Sequence, residues 1–202
     1  MARKTQTPAT RVSVGDRFPK LRLTAITGET IPIPDTAGHL THLQFRRFAG
    51  CPICNLHLRS VIARIDEISA AGIREVVVFH STATELRKYQ DDMPFPVIGD
   101  PDKTLYHRFG VEASAKAVLN PHAWRALPVG WRHAIANAVA HRRAPLPLAP
   151  TNGNLGLPAD MLISRDGRLA GVKYGVHAYD QWSVDELLDL ATSFSRAADP
   201  AG

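Results

Sequence analysis

Apolar positions in this chain alternate in some stretches, run unbroken in others and recur every three or four residues elsewhere. Leu21-Arg22-Leu23-Thr24-Ala25-Ile26 alternates, Thr27-Gly28-Glu29 turns, and Thr30-Ile31-Pro32-Ile33-Pro34 returns with prolines that suit an edge strand. That pattern predicts an N-terminal β-hairpin. A strand over His39 to Phe45 follows and runs straight into a glycine-containing turn. Leu58, Val61, Ile62, Ile65 and Ile68 then recur at helical spacing, with Arg59, Arg64, Asp66 and Glu67 off the stripe, and Gly72 ends the helix.

The unbroken run Val76-Val77-Val78-Phe79 predicts a central strand, and Thr82 with Glu85 forms a capping box for a helix through about Gln90. Phe95-Pro96-Val97-Ile98 reads as a third strand, and Asp100-Pro101 precedes a short helix from Lys103 to Phe109 that stops at Gly110. Later, Met161-Leu162-Ile163-Ser164, a turn at Arg165-Asp166-Gly167, and Leu169 to Tyr174 predict a hairpin. Ser183 with Glu186 caps a final helix carrying Leu187, Leu188, Leu190, Ala191 and Phe194.

The order β-α-β-α-β-α and then β-β-α implies an α/β fold, with a mixed central sheet and helices on both faces. Residues 112–157 interrupt that rhythm. They read as a helical insertion before the last hairpin, with an amphipathic helix from Trp131 to about Arg142. Trp124, Trp131 and Ile135 in it are read as core packing ahead of a substrate groove or a dimer contact. Residues 1–12, rich in Thr, Pro and charge, read as a disordered tail, and 13–199 as one domain.

Composition narrows the class. A hydrophobic fraction of 45% with 21% charged residues is that of an ordinary globular protein. No apolar run is long enough to span a bilayer, and the basic residues near Met1 have no apolar core behind them, so neither a membrane span nor a secretory signal is expected. With only two cysteines, closely spaced, a cytoplasmic protein with working thiols fits better than a secreted disulfide scaffold.

The net charge of +5 is unevenly spread. Residues 2–22 hold Arg3, Lys4, Arg11, Arg17, Lys20 and Arg22 against Asp16 alone, and 113–159 hold Lys116, Arg125, Arg132, Arg142 and Arg143 with no acid. Such patches can meet nucleic acid or an acidic membrane surface. No binding motif accompanies them, so the reading is a solvated tail and an electropositive lid, with neither nucleic acid nor membrane as partner.

The chemistry concentrates in Phe45-Arg46-Arg47-Phe48-Ala49-Gly50-Cys51-Pro52-Ile53-Cys54. Pro52 suits the first turn of a helix because its missing N–H is one that no intrahelical acceptor would use. Cys51 then falls at the N-cap and Cys54 near the third helical position, where the unpaired N–H groups and the helix dipole favour thiolate over thiol. Two thiols so spaced can close and reopen a disulfide. His57, three residues after Cys54 on the same helical side, is a candidate for lowering a thiol pKa, or else a polar residue on the helix flank. A zinc site on Cys51, Cys54 and His57 lacks a second ligand pair at metal-site spacing, so no metal and no cofactor is expected.

The Cys-x-x-Cys at the first strand-to-helix turn resembles the thioredoxin-like fold. Members carry a cis-proline facing the cysteines just before the late hairpin, and in Gly156-Leu157-Pro158-Ala159-Asp160-Met161-Leu162-Ile163 it is Pro158 that holds the matching place. The closer resemblance is to the alkyl hydroperoxide reductase/thiol-specific antioxidant (AhpC/TSA) family, among peroxiredoxin-like proteins that keep a Cys-x-x-Cys. It is carried by residues 45–54, by Phe95-Pro96-Val97-Ile98-Gly99-Asp100-Pro101 and by Leu105-Tyr106-His107-Arg108-Phe109-Gly110-Val111, and is supported by the opening Val14-Gly15-Asp16-Arg17-Phe18-Pro19. The family places Pro and Thr or Ser seven and three residues before the peroxidatic Cys. Aligned on Cys54, this chain has Arg47 and Cys51 there, and Leu157-Pro158-Ala159 where an Arg is usual. Arg46 or Arg47 is then the candidate to polarise a peroxide.

The resemblance implies a thiol-dependent oxidoreductase that reduces peroxides, with thioredoxin-type disulfide exchange or a non-enzymatic redox sensor as alternatives. In the thioredoxin-type scheme Cys51 attacks and Cys54 resolves; in the peroxiredoxin-type scheme Cys54 is oxidised and Cys51 condenses with it. Either ends at a Cys51–Cys54 disulfide, which an external thiol reductant of thioredoxin or glutathione type must reopen. A homodimer is compatible with it.

Overall fold

The computed structural model describes residues 11–111, 128, 131, 132, 135 and 156–198. Its first strands, β1 (Leu21–Thr24) and β2 (Thr30–Ile33), form the antiparallel ribbon expected of the alternating N-terminal stretch. β3 (Leu40–Arg46), β4 (Ile73–Phe79), β5 (Val97–Gly99), β6 (Ala159–Ile163) and β7 (Leu169–Tyr174) make a five-stranded sheet in the order β5-β4-β3-β6-β7. β3 runs parallel to β4 and antiparallel to β6, and β6 runs antiparallel to β7, so the sheet is mixed. The helices are α1 (Pro52–Ala63), α2 (Ile65–Ala70), α3 (Ala83–Tyr89), α4 (Thr104–Arg108) and α5 (Val184–Ala198).

Strand alternation assigns the two faces of the sheet. Leu43 and Phe45 of β3, Val76 and Val78 of β4, and Ala159, Met161 and Ile163 of β6 pack with the ribbon residues Ile31 and Ile33 and with Tyr106 of α4. Val77 and Phe79 of β4 and Leu162 of β6 face the other way, onto Leu58 and Val61 of α1, Ile68 of α2 and Leu187 and Ala191 of α5. β3 sends His42, Gln44 and Arg46 to that second side, and all three are buried.

The helix caps follow local chemistry. Thr82 Oγ1 accepts from Glu85 N while the Glu85 carboxylate accepts from Thr82 N, and Ser183 and Glu186 repeat the arrangement. The Asp100 carboxylate accepts from the backbone N–H groups of Thr104, Leu105 and Tyr106 at the start of α4.

Four details differ from the sequence reading. The stripe from Leu58 to Ile68 spans two helices, because Arg64 leaves the helical conformation between them while its guanidinium pairs with Glu67 and Asp185. Arg11 and Val12 fall in the stretch read as a disordered tail. Instead Val12 N donates to Tyr174 Oη at 2.9 Å, and the Arg11 guanidinium lies 4.7 Å from the centre of the Tyr174 ring. Of the insertion, Trp131 and Ile135 are 43% and 55% exposed, so they do not pack in the core; Trp124 and most of 112–157 lie outside the described residues. Finally, among the described residues the cis X–Pro bond is at Ile33–Pro34, and Leu157–Pro158 is trans. Pro158 leads into β6 through the trans isomer that X–Pro bonds prefer, with its carbonyl accepting from Gly175 N at 2.9 Å.

Candidate active site

The cysteines sit where the C-terminal end of β3 meets the N-terminus of α1. The intervening turn is braced by the segment that follows β4: His80 N donates to Arg47 O at 3.0 Å, and Ala49 N donates to Ser81 Oγ at 3.0 Å. Gly50 adopts φ +74°, a conformation that costs a side-chain-bearing residue more than glycine. Cys51 N then donates to Phe48 O at 3.1 Å, and Cys51 caps α1 with Pro52 at its first position, as the sequence predicts.

Both thiols are free and buried, and they are not equivalent. The Cys54 thiol donates to Cys51 Sγ at 3.0 Å, Cys54 N donates to the same sulfur at 3.4 Å, and Arg47 Nη1 lies 3.7 Å from it. Burial disfavours a thiolate at Cys51, but the Cys54 hydrogen bonds and the Arg47 charge outweigh it and lower the pKa to about 6. Burial and the neighbouring Cys51 push the Cys54 thiol well above its ordinary value. Three donors converge on the Cys51 sulfur, which favours its thiolate, and the Cys54 thiol is one of them.

Arg46 and Arg47, alternatives in the sequence, diverge here. Arg47 goes to Cys51. Arg46, fully buried, donates from Nη2 to Asp160 Oδ1 at 2.6 Å and to Gln44 Oε1. Asp160 also pairs with His42 Nε2 at 3.2 Å, His42 Nδ1 pairs with Glu75 at 2.9 Å, and Gln44 donates to Glu75. Burial works against a charged imidazole, but Glu75 and Asp160 raise the His42 pKa to about 9. Burial works against the Asp160 carboxylate too, yet Arg46 and His42 hold it well below the usual carboxylate range. This connected set lies on the α1 side of the sheet. The sequence does offer a signal for it: polar residues at 42, 44 and 46 share one face of β3, and Glu75 and Asp160 share it on β4 and β6.

His57 is buried in α1, and the charges bearing on it are those of Arg46, Asp160, His42 and Lys173. Burial and Arg46 lower its pKa to about 3, so it is neutral, and it is not among the groups that shift either cysteine. Pro158 lies over Gly175, against which a Cβ would come within 2.7 Å of its ring. The neighbouring Gly156 is the residue that approaches the site, since a Cβ there would stand 3.0 Å from His80 Nε2 and 3.4 Å from Arg47 Cγ. His80 is buried between Phe48 and Tyr106, and burial with the Lys103 charge lowers its pKa to about 4. Among the described residues no group of three or more His, Cys, Asp or Glu side chains is arranged to hold a metal ion, and no helix is long and apolar enough to cross a membrane.

Three solved structures share this architecture. A peroxiredoxin 6 of Arenicola marina, solved as a cysteine-to-serine mutant, is 16% identical, with a TM-score of 0.64 over 93% of this chain and 75% of that one. The peroxidoxin BcpB of Mycobacterium tuberculosis is 16% identical, with a TM-score of 0.60 over 91% and 96%. A putative thiol:disulfide interchange protein DsbE of Chlorobium tepidum is 17% identical, with a TM-score of 0.57 over 89% and 99%. These likenesses establish the thioredoxin-like fold. No curated protein matches the chain at a significant level. The sequence pattern of the AhpC/TSA family matches residues 14–171, most of the chain and all of the site's strands and helix, and the chain belongs to that family.

Proposed function

We propose that this protein is a thiol peroxidase in which Cys51 is the peroxidatic residue and Cys54 the resolving one. The observation that carries this reading is the asymmetry of the sulfur pair: Cys51 Sγ accepts from Cys54 Sγ at 3.0 Å and faces Arg47 at 3.7 Å. It reverses the assignment that alignment on Cys54 implies. The Cys51 thiolate attacks one oxygen of a hydroperoxide, its S–O bond forms as the O–O bond breaks, and the leaving oxygen departs as water or an alcohol after taking a proton. The product is a sulfenic acid on Cys51. Cys54 then attacks that sulfur, gives up its proton to the departing hydroxide, and leaves a Cys51–Cys54 disulfide and one water. An external dithiol of thioredoxin type, or two glutathione-type thiols, restores the pair and is itself oxidised to a disulfide.

Arg47 serves twice in this scheme, as counter-charge for the thiolate and as donor for the peroxide oxygen. The burial of both sulfurs favours a small oxidant over a folded protein disulfide.

The test is rapid-mixing oxidation of the reduced protein by hydrogen peroxide, with dimedone trapping and mass spectrometry on wild type, Cys51→Ser and Cys54→Ser. The expected result is fast disulfide formation in wild type, a trapped sulfenic acid on Cys51 in Cys54→Ser, and loss of fast oxidation in Cys51→Ser. Oxidation of wild type no faster than that of an ordinary free thiol overturns the peroxidase reading and turns attention to disulfide substrates. A sulfenic acid on Cys54 in Cys51→Ser overturns the assignment of roles. Oxidation without turnover by any thiol reductant points instead to a sensor.

A further inference from the structure

At the end of the sheet away from the cysteines, an open cavity of about 600 Å³ lies between the β1–β2 ribbon, the segment leading into β3 and the Arg165–Gly167 turn. Its position follows from topology: β3 starts beside it, after Gly38, and delivers Cys51 only beyond its opposite end. The volume suits a small-molecule site.

Four exposed cations border it: Arg17, Lys20, Arg22 and Arg165. None of them has a carboxylate partner among the described residues. The two acids at the cavity are already engaged. Asp35 accepts from Arg74 at 2.7 Å and from the His39 ring at 2.9 Å, while Asp166 accepts from Ser164 Oγ and lies 3.5 Å from Arg168 Nε. Arg17 is held at the rim by an isolated antiparallel bridge to Arg168, whose own guanidinium is the one beside Asp166. Between the charges the lining is apolar: half-buried Leu21, Pro32 and Pro34 face the cavity, backed by the buried Phe18 and Ile33.

We infer that this cavity binds a small organic anion, a carboxylate, sulfonate or phosphate carried on an apolar body, with Arg22 and Arg165 as its principal counter-charges. The four cations supply the charge recognition, and Leu21, Pro32 and Pro34 receive the apolar part. The site is separate from the dithiol chemistry and stands whether or not the peroxidase reading holds. It also gives a role to the basic cluster of residues 17–22.

The experiment is a fluorescence titration of the full chain with 1-anilinonaphthalene-8-sulfonate, comparing wild type with the double variants Arg22→Gln/Arg165→Gln and Lys88→Gln/Arg108→Gln. The second pair removes the same charge from α3 and α4. The expected result is saturable binding of one probe per chain, weakened at least tenfold in Arg22→Gln/Arg165→Gln and unchanged in the control pair. Equal weakening in both variants, or none in either, overturns the inference. Decanoate, adenosine monophosphate and inorganic phosphate then compete separately. Displacement by decanoate or by the nucleotide at concentrations where phosphate fails supports the site and tells a chain anion from a ring-bearing one. Displacement by phosphate equal to both means that charge alone is recognised, and overturns the apolar half of the inference.

Discussion

Arg46 and Arg47 are consecutive residues that serve different charges: Arg47 Nη1 lies 3.7 Å from Cys51 Sγ, and Arg46 Nη2 donates to Asp160 Oδ1 at 2.6 Å. Arg46 is the last residue of β3, so strand alternation sends it under α1 with His42 and Gln44. Arg47 lies beyond the strand, and the His80 N–H to Arg47 O bond fixes its backbone. The two guanidiniums therefore predict different consequences when each is removed.

Arg47→Gln takes a positive charge from beside a buried thiolate. The Cys51 titration, followed by the pH dependence of iodoacetamide alkylation, is expected to have its midpoint near 6 in wild type. In the variant it moves upward by about one unit, the size expected for losing one close opposite charge. Alkylation at pH 6 slows severalfold, while Arg47→Lys recovers much of the loss. An unmoved midpoint would show that Cys54 and the helix N-terminus alone hold the thiolate.

Arg46→Gln acts on stability instead. It leaves Asp160, fully buried, without its closest cation, and breaking one side of a buried ion pair costs roughly 3–5 kcal/mol. Urea unfolding at pH 7 is expected to show a loss of that order, several times larger than for Arg47→Gln. A loss below about 1 kcal/mol, the scale of an exposed pair, would mean that His42 alone satisfies Asp160.

That contrast marks how far the sequence carries. Pro52, Cys51 and Cys54 announce a helix start bearing a dithiol, and the Thr82–Glu85 and Ser183–Glu186 boxes announce two more helix starts, because those signals act within four residues. The mixed sheet follows from the order of apolar runs. The direction of each arginine does not, because it depends on which face of β3 is covered and on Asp160, 114 residues away from Arg46. Alternating polar residues at 42, 44 and 46 ordinarily mark a solvent face; here α1 and α5 cover them, and Glu75 and Asp160 supply the compensating charge. Trp131 and Ile135 mislead in the opposite sense, since helical spacing of apolar residues does not say whether anything packs on them.

His42 makes stability depend on pH in a definite direction. Its pKa is raised from 6.5 to about 9 in the folded protein, so the folded state holds the proton more tightly than the unfolded chain. The resulting stabilisation is fully present below pH 6.5, shrinks above it and is gone once pH passes 9. Its size is on the order of 3 kcal/mol. Unfolding free energies of wild type and His42→Gln, measured from about pH 6 to about pH 9.5 and subtracted, should therefore converge as pH rises. The subtraction removes the opposing contribution of Cys51, whose lowered pKa stabilises the fold increasingly from pH 6 to 9. A constant difference across that range would mean that His42 is neutral in the folded protein.

Gly156→Ala tests whether the segment entering β6 holds Arg47 in place. The backbone at Gly156 is not in the left-handed region, so alanine brings no conformational strain and acts only through its Cβ, 3.0 Å from His80 Nε2 and 3.4 Å from Arg47 Cγ. His80 is wedged against Phe48 and Tyr106, and the Tyr106 hydroxyl is anchored on the carbonyls of Arg46 and Val78. The ring has little room to yield, so the displacement passes to Arg47. Overpacking of this kind costs about 1–3 kcal/mol. The accompanying rise of the Cys51 midpoint should share its direction with Arg47→Gln and be smaller, because the charge is moved and not deleted. Combining Gly156→Ala with Arg47→Gln should then add nothing further to the midpoint, since the two changes act through the same guanidinium. An additive shift would place the effect of Gly156 on the cysteine turn itself.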